Sequence, residues 1–231
     1  RILSSAASDV YKRQIIPSRL ESSRLPNKPL LDINGEPMIV HVFNRAREAN
    51  IANVIVAAGN IEIKEAIENV GGEAILTNPD HASGSDRIYE ALTIYDKDSS
   101  YDNVINLQGD LPNIQKDALT KIVSLLDSGN SDISTLGVKI FSDQEILNPN
   151  IVKVYVKNLS DNNIIDDFDR TFDLSKKDFL YHHIGIYGYK RNALEAFIGL
   201  NQSKAEIDRK LEQMRAIAVS YTHLRAHETV V

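Results

Sequence analysis

The sequence predicts an α/β fold, with a Rossmann-like, mostly parallel sheet in its first half and a mixed α+β second half. Three observations carry this. Short apolar runs alternate with stretches of helical periodicity from Ile15 to Leu126, the pattern of βαβ units whose parallel sheet is covered on both faces. Glycine and proline punctuate the transitions, as at Pro37 and Gly71-Gly72. After about residue 130 the alternation stops, and strand-like runs dominate until helical spacing returns near 191.

The elements follow in order. Ile15-Ile16 reads as a first buried strand. Pro37 opens a helix, where its missing N–H costs little, and Ile39, Val42, Phe43, Ala46 and Ala49 keep helical spacing. Val54–Ala58 is a buried strand. Ile63, Ala66, Ile67 and Val70 form the next helical stripe, stopped by Gly71-Gly72. Ala74–Leu76 is a short strand, and Ile88, Ala91, Leu92 and Tyr95 mark a third helix. Val104–Leu107 is a fourth strand ending at Gln108-Gly109-Asp110, and Ala118, Leu119, Ile122, Val123 and Leu126 mark a fourth helix. Strands are expected over 133–138, 152–156 and 183–189, and helices over 191–199 and 204–217. The acidic stretch from Asp161 to Asp178 reads mainly as exposed loop. In parallel sheets ligands sit beyond the carboxyl ends of the strands, so the loops at 17–28, 81–87 and 108–112 should converge on one crevice.

Residues 1–13 and 219–231 show neither period and resemble translated adapter sequence, so both are expected to be tails outside the fold. One domain is expected over 14–218, divided near residue 130 into two halves (14–130 and 131–218). His223 and His227 have metal-ligand spacing but fall in that tail.

The composition narrows the function. A net charge of −6 argues against broad nucleic-acid binding, so an anionic ligand must be held by local cations. No cysteine is present, which excludes disulfides, thiolate nucleophiles and Cys-based metal sites. No apolar run is long enough to span a bilayer. A reducing cytoplasm is the default compartment.

The loop after the first strand gathers Arg19, Arg24 and Lys28. Two guanidinium forks and an ammonium suit a polyphosphate, although a solvated basic loop has the same composition. Asn27 stands where a turn requires positive φ. In His81-Ala82-Ser83-Gly84-Ser85-Asp86-Arg87, small residues precede a helix; they suit an anion or base site at the helix N-terminus, or an ordinary N-cap. Asp110 after a buried strand is a metal position if a nucleotide supplies the other ligands, or a structural turn aspartate. In the second half, His183, Tyr187 and Tyr189 alternate and so face one side of a strand. Glu206, Lys210 and Gln213 are spaced to share a helix face.

Together these segments resemble the 3-deoxy-manno-octulosonate cytidylyltransferase (CMP-KDO synthetase) family. The likeness runs in order through 15–19, 22–30, 32–39, 81–87, 106–110, Asn148–Val154, His183–Tyr189 and Leu211-Glu212-Gln213-Met214-Arg215. It implies a fold of the nucleotide-diphospho-sugar transferase type. It further implies attack of the anomeric hydroxyl of the sugar acid KDO on the α-phosphate of CTP, with magnesium as cofactor, and a homodimer formed through the second half. By the resemblance, Arg19, Arg24 and Lys28 hold the triphosphate. Ser83, Gly84 and Arg87 lie near the cytosine, and Asp110 binds magnesium. Gln108 sits between nucleotide and sugar, and Arg170, His183, Tyr187 and Glu206 line the sugar pocket. The chain departs from the family pattern at Asn27, Ala58-Gly59, Leu111, Arg209 and around Arg170. The family's second magnesium aspartate, in a Val-Asp-Thr-Pro-like segment after the last helix, has no counterpart before the adapter-like tail, so weak or no turnover is expected of this chain. The alternatives are CMP transfer to another acidic sugar, such as a nonulosonic acid or KDO variant, and a nucleotide-binding protein without catalysis.

Overall fold

A computed structural model describes residues 12–21, 25–157, 164–219 and 224–228. The chain opens with β1 (Lys12–Ser18), a small hairpin of β2 (Asp32–Ile33) and β3 (Glu36–Pro37), and α1 (Met38–Ala49). It continues through β4 (Asn53–Ala58), α2 (Ile61–Glu68), β5 (Glu73–Leu76), α3 (Gly84–Tyr95), β6 (Asn103–Leu107) and α4 (Lys116–Asp127). The second half holds β7 (Ile133–Lys139), α5 (Asp143–Leu147), β8 (Lys153–Tyr155), β9 (Asp167–Asp169) and the long β10 (Leu180–Lys190). It closes with α6 (Arg191–Ile198), α7 (Lys204–Arg209), α8 (Met214–Ala218) and β11 (Leu224–Glu228).

The main sheet runs β11-β7-β10-β6-β1-β4-β5. Strands β5, β4, β1 and β6 are mutually parallel, as the alternating pattern requires. The chain works outward from β1 to β5 and then crosses back to β6 on the other side of β1. That reversal is a topological switch point, which opens a crevice at the strands' carboxyl ends. β10 joins antiparallel to β6 and β7, and β8 and β9 extend it as a side ladder.

Both faces are covered. Ile39, Val42, Phe43 and Ala46 of α1 join Ile63 and Ile67 of α2 and Leu119 and Ile122 of α4 on one face. Ile88, Ala91 and Leu92 of α3 join Leu194 and Phe197 of α6 on the other. These are the positions at which helical spacing placed apolar residues.

Three expectations are corrected. The helix expected over 204–217 is two short helices, because Lys210 adopts φ 54 and turns the chain between α7 and α8. Glu206, Lys210 and Gln213 therefore do not share a helix face. The acidic stretch is not all loop: Asp167–Asp169 pairs with β8 as a strand, and Arg209 binds Asp167 and Asp169. β1 begins at Lys12, inside the segment expected to be a tail, because the parallel pairing Arg13↔Asn53 needs backbone groups rather than apolar side chains. Leu224–Glu228 likewise pairs in parallel with β7. His223 lies outside the described residues.

Candidate active site

The switch point holds a cleft of about 840 Å³, toward the upper end of the range for small-molecule sites, about 300–1,000 Å³. Its floor is the end of β1 (Pro17, Ser18, Arg19) and the turn after β6 (Gln108, Asp110). One wall is the N-terminus of α3, with Ser83, Gly84 and Arg87, and the other is built from Arg170, His183, Tyr187 and the α7–α8 corner. The three loops that were expected to converge do so.

On the side of the cationic loop, Arg19 is exposed, its Nη1 donating to His81 O at 3.4 Å. Lys28 Nζ lies 2.9 Å from Asp110 Oδ2, with the two side chains 34% and 48% exposed. Such a solvated pair contributes little stability, so an incoming polyphosphate or cation can take either partner at small cost. Asn27 has φ 56, the left-handed geometry its position predicted. Arg24 lies outside the described residues. Gly109 brings the floor together: a Cβ there would stand 2.8 Å from Pro17 O, so only glycine lets the β6 turn approach β1 this closely.

The N-cap reading of the third loop holds, since Ser83 Oγ accepts from Asp86 N at 3.2 Å. Arg87 is buried and its fork is committed. Nη1 donates to Thr77 Oγ1 (2.7 Å) and Asn78 O (3.0 Å), and Nη2 to Pro79 O (3.0 Å). It shapes the wall by fixing the loop after β5. Burial, followed by the nearby Arg19 charge, pushes its pKa down.

On the other wall, His183, Tyr187 and Tyr189 do share one side, with successive ring centroids 5.3 and 6.0 Å apart. Thr135 Oγ1 donates to Ile186 O at 2.7 Å and therefore accepts from His183 Nε2 at 3.1 Å. That assigns the proton to Nε2 and leaves Nδ1 as an acceptor. Burial, with His182 adding to it, pushes the His183 pKa down to about 3, so the ring is neutral. Burial also raises the Tyr187 hydroxyl well above its ordinary range. Arg170 lines the cleft, with Nη1 near Pro149 O (3.5 Å) and Asn150 O (3.4 Å). Gln108 is tied in place by its N–H to Gly185 O at 3.1 Å.

Glu206 reaches the cleft wall, but its carboxylate is engaged. Arg215 donates to both oxygens, at 3.0 and 2.7 Å, and Ser203 and Glu206 form a capping box at the start of α7. Glu212 was not singled out. Its carboxylate accepts from Ser85 N at 3.2 Å, at the positive end of α3, and burial raises its pKa. The family-like segment Leu211–Arg215 contained that signal, but reading 204–217 as one helix placed Glu212 beside the face of interest rather than in the cleft.

The comparisons agree with this geometry. The family model described as Cytidylyltransferase matches residues 14–224. The 3-deoxy-manno-octulosonate cytidylyltransferase of Brucella ovis is 47% identical over 205 residues, covering 88% of this chain and 82% of the relative. This chain is a member of the 3-deoxy-manno-octulosonate cytidylyltransferase family. Its relative from Brucella anthropi is 46% identical over the same share of both chains. A solved structure of CMP:2-keto-3-deoxy-manno-octonic acid synthetase complexed with CTP superposes with a TM-score of 0.83 at 35% identity, covering 96% of this chain and 90% of that one. The 4-diphosphocytidyl-2C-methyl-D-erythritol synthase of Anaerococcus prevotii, 11% identical with a TM-score of 0.62 over 95% and 89% of the two chains, shares the fold alone.

Proposed function

We propose that the protein is a nucleotidyltransferase that moves CMP from CTP to the anomeric hydroxyl of KDO, releasing pyrophosphate and giving CMP-KDO for lipopolysaccharide assembly. The observation that carries this is the single cleft in which a cationic loop and Asp110 face an aromatic, histidine- and arginine-lined wall. The likeness to a synthetase complexed with CTP supports the nucleotide, and the relatives' name supports the sugar.

In the reaction the sugar oxygen forms a bond to the α-phosphorus, the bond from that phosphorus to the α,β-bridging oxygen breaks to release pyrophosphate, and the hydroxyl proton passes to solvent water. Arg19 and Lys28, with Arg24 from the same loop, meet the charge that builds on the departing pyrophosphate; such transfers rest on positioning and charge stabilisation. Arg170 offers a fork to the sugar carboxylate. A histidine with a pKa near 3 is too weak a base to hold a proton at neutral pH, so His183 orients a sugar hydroxyl through Nδ1 instead of deprotonating it. Among the described residues no three His, Cys, Asp or Glu side chains cluster as a metal site. The carboxylate of Asp110, half exposed on the cleft floor beside Lys28, suits magnesium arriving on the nucleotide phosphates, since magnesium is commonly held by one or two carboxylates plus phosphate oxygens. Bound there, magnesium would neutralise phosphate charge and align the reacting groups.

The reading extends to a cytoplasmic homodimer. Among the described residues no helix is long and apolar enough to cross a membrane. Phe141 (86% exposed) and Leu147 (61%) are large apolar side chains left in solvent in the second half, which a partner surface would cover. Analytical ultracentrifugation of the protein and of Phe141→Asp tests the dimer: a monomeric wild type would remove it.

The deciding experiment is pyrophosphate release with CTP, magnesium and KDO, on this chain and on one extended by the family's C-terminal segment. KDO-dependent release in either supports the assignment. CTP binding without release in both points to another sugar acid or to a binding protein.

A further inference from the structure

Lys153 of β8 has no exposed surface and no part in the chemistry above. It stands in register with His182 of β10 on one side and Asp169 of β9 on the other. Its Nζ donates to Asn148 O at 2.6 Å and to the carbonyl oxygen of Arg170. Neither acceptor lies within a sheet ladder. Asn148 follows α5 and Arg170 follows β9, and each leads into cleft wall, at Asn150 and at Arg170 itself. The Arg170 guanidinium reaches back to the carbonyls of Pro149 and Asn150, in the loop that Lys153 holds.

A buried ammonium is costly unless its hydrogen bonds are made. The carboxylates near Lys153 are otherwise occupied, Asp169 by Arg209 at 3.3 Å and Glu145 by His182 at 2.7 Å. Lys153 is therefore not half of a simple ion pair. An apolar side chain would fill the same space but leave two loop carbonyls without this donor.

We propose that Lys153 is a positioning residue for the acidic-sugar half of the cleft: by joining the carbonyls of Asn148 and Arg170 it sets the Arg170 guanidinium against the Asn150 wall at the spacing a carboxylate-bearing sugar requires. It touches no substrate. The inference rests on the reading that Arg170 meets the sugar carboxylate.

Lys153→Met tests it through backbone amide exchange of the free protein and calorimetric titration of the CTP-loaded protein with KDO. Exchange should quicken at least tenfold in 149–152 and 169–172 and stay unchanged in β1, β4 and α1. The Kd for CTP should stay within twofold while affinity for KDO falls tenfold or more. In an Arg170→Gln background, Lys153→Met should weaken KDO binding no further. Unchanged exchange in either segment, loosening that spreads to β1 and β4, equal loss of CTP affinity, additivity with Arg170→Gln, or failure of the variant to fold would each make Lys153 an ordinary core residue and overturn the inference. A wild-type protein that binds CTP but not KDO would overturn the sugar reading, and the exchange result would still decide whether Lys153 joins the two segments.

Discussion

Glu206→Gln removes one charge from a buried pair and little else. Glu206 is 4% exposed and Arg215 2%, and the guanidinium meets the carboxylate through two bonds of 3.0 and 2.7 Å. Breaking a buried pair by removing one partner costs about 3–5 kcal/mol, because the other charge is left uncompensated. Two features move this case toward the lower value. Asp86 lies 3.9 Å from Arg215 and takes up part of the orphaned charge, and glutamine at the third helical position can still close the capping box with Ser203. The expected loss is about 3 kcal/mol, or a fall in Tm of about 6–12 °C for a chain of this length. Calorimetric melts at pH 7 measure it. The double variant Glu206→Met, Arg215→Leu should recover most of the loss, since apolar replacement of a whole buried pair is commonly neutral or better. The pH dependence has a definite sign. Burial alone would raise the Glu206 pKa, but the Arg215 and Gln202 hydrogen bonds outweigh it and hold the group below its ordinary 4.5. Its contribution is thus full above pH 4.5 and lost as pH falls through the lower folded value, and Glu206→Gln should lose that part of the acid slope. A folded Glu206→Gln within about 1 kcal/mol of wild type, a third of the loss expected for an orphaned buried charge, would refute the argument. So would a double variant as unstable as the single one.

Four further outcomes follow from the cleft. Lys28→Met should raise the Kd for CTP about tenfold or more, the size of a lost charge-assisted hydrogen bond, and Asp110→Asn should abolish the difference in CTP affinity between magnesium and EDTA; calorimetry reads both, and an unchanged Kd or a persisting magnesium effect would remove the corresponding assignment. Gly109→Ala forces a methyl against Pro17 O and should cost about 1–3 kcal/mol of stability while weakening CTP binding, measured by urea unfolding and titration. His183 should show no ring titration by NMR between pH 5 and 8. Its pKa is lowered from 6.5 to about 3, so it contributes full stability above pH 6.5 and loses it as pH falls; a midpoint near 6 would contradict the neutral acceptor role.

The first half was legible because its elements are written in period. Val54–Ala58 is a continuous apolar run and Val104–Leu107 is interrupted only by Asn106, and they became buried parallel strands. The stripe Ile39, Val42, Phe43, Ala46, Ala49 became the buried face of α1. The second half was harder to read for physical reasons. α5 is five residues long and carries one buried side chain, Ile146, so no period can show. β9 reads Asp-Phe-Asp, and its charges are matched by Arg209, forty residues further on, which local pattern cannot reveal. The break at Lys210 was hidden because lysine is an ordinary helix former, and nothing in the local sequence marks it for the positive φ it adopts. The cleft showed the same division. Arg19, Ser83, Gly84, Gln108, Asp110 and His183 line the cleft, and each lies at the end or on the face of an element legible in the sequence, whereas the engaged fork of Arg87 and the occupied carboxylate of Glu206 follow from burial that spacing does not encode.

The direction of β10 explains how one cleft serves two ligands. Parallel strands end on the same side, so β1 and β6 deliver Arg19, Gln108 and Asp110 together, but a further parallel strand would bring only its own carboxyl-terminal loop. β10 runs the other way, with Ile186 opposite Leu107 at the last residue of β6. Its amino-terminal half therefore continues past the end of β6, and His183 stands above the floor on rigid strand rather than on a loop. The joint between the halves is narrow. Gln108 donates its backbone N–H to Gly185 O, and a Cβ on Gly185 would come within 3.1 Å of Gln108 Cγ. Glycine at 185 leaves room for the glutamine side chain at this seam. Loss of a side chain at one residue of a long strand weakens that strand locally, and here the loss falls where β10 passes the turn after β6.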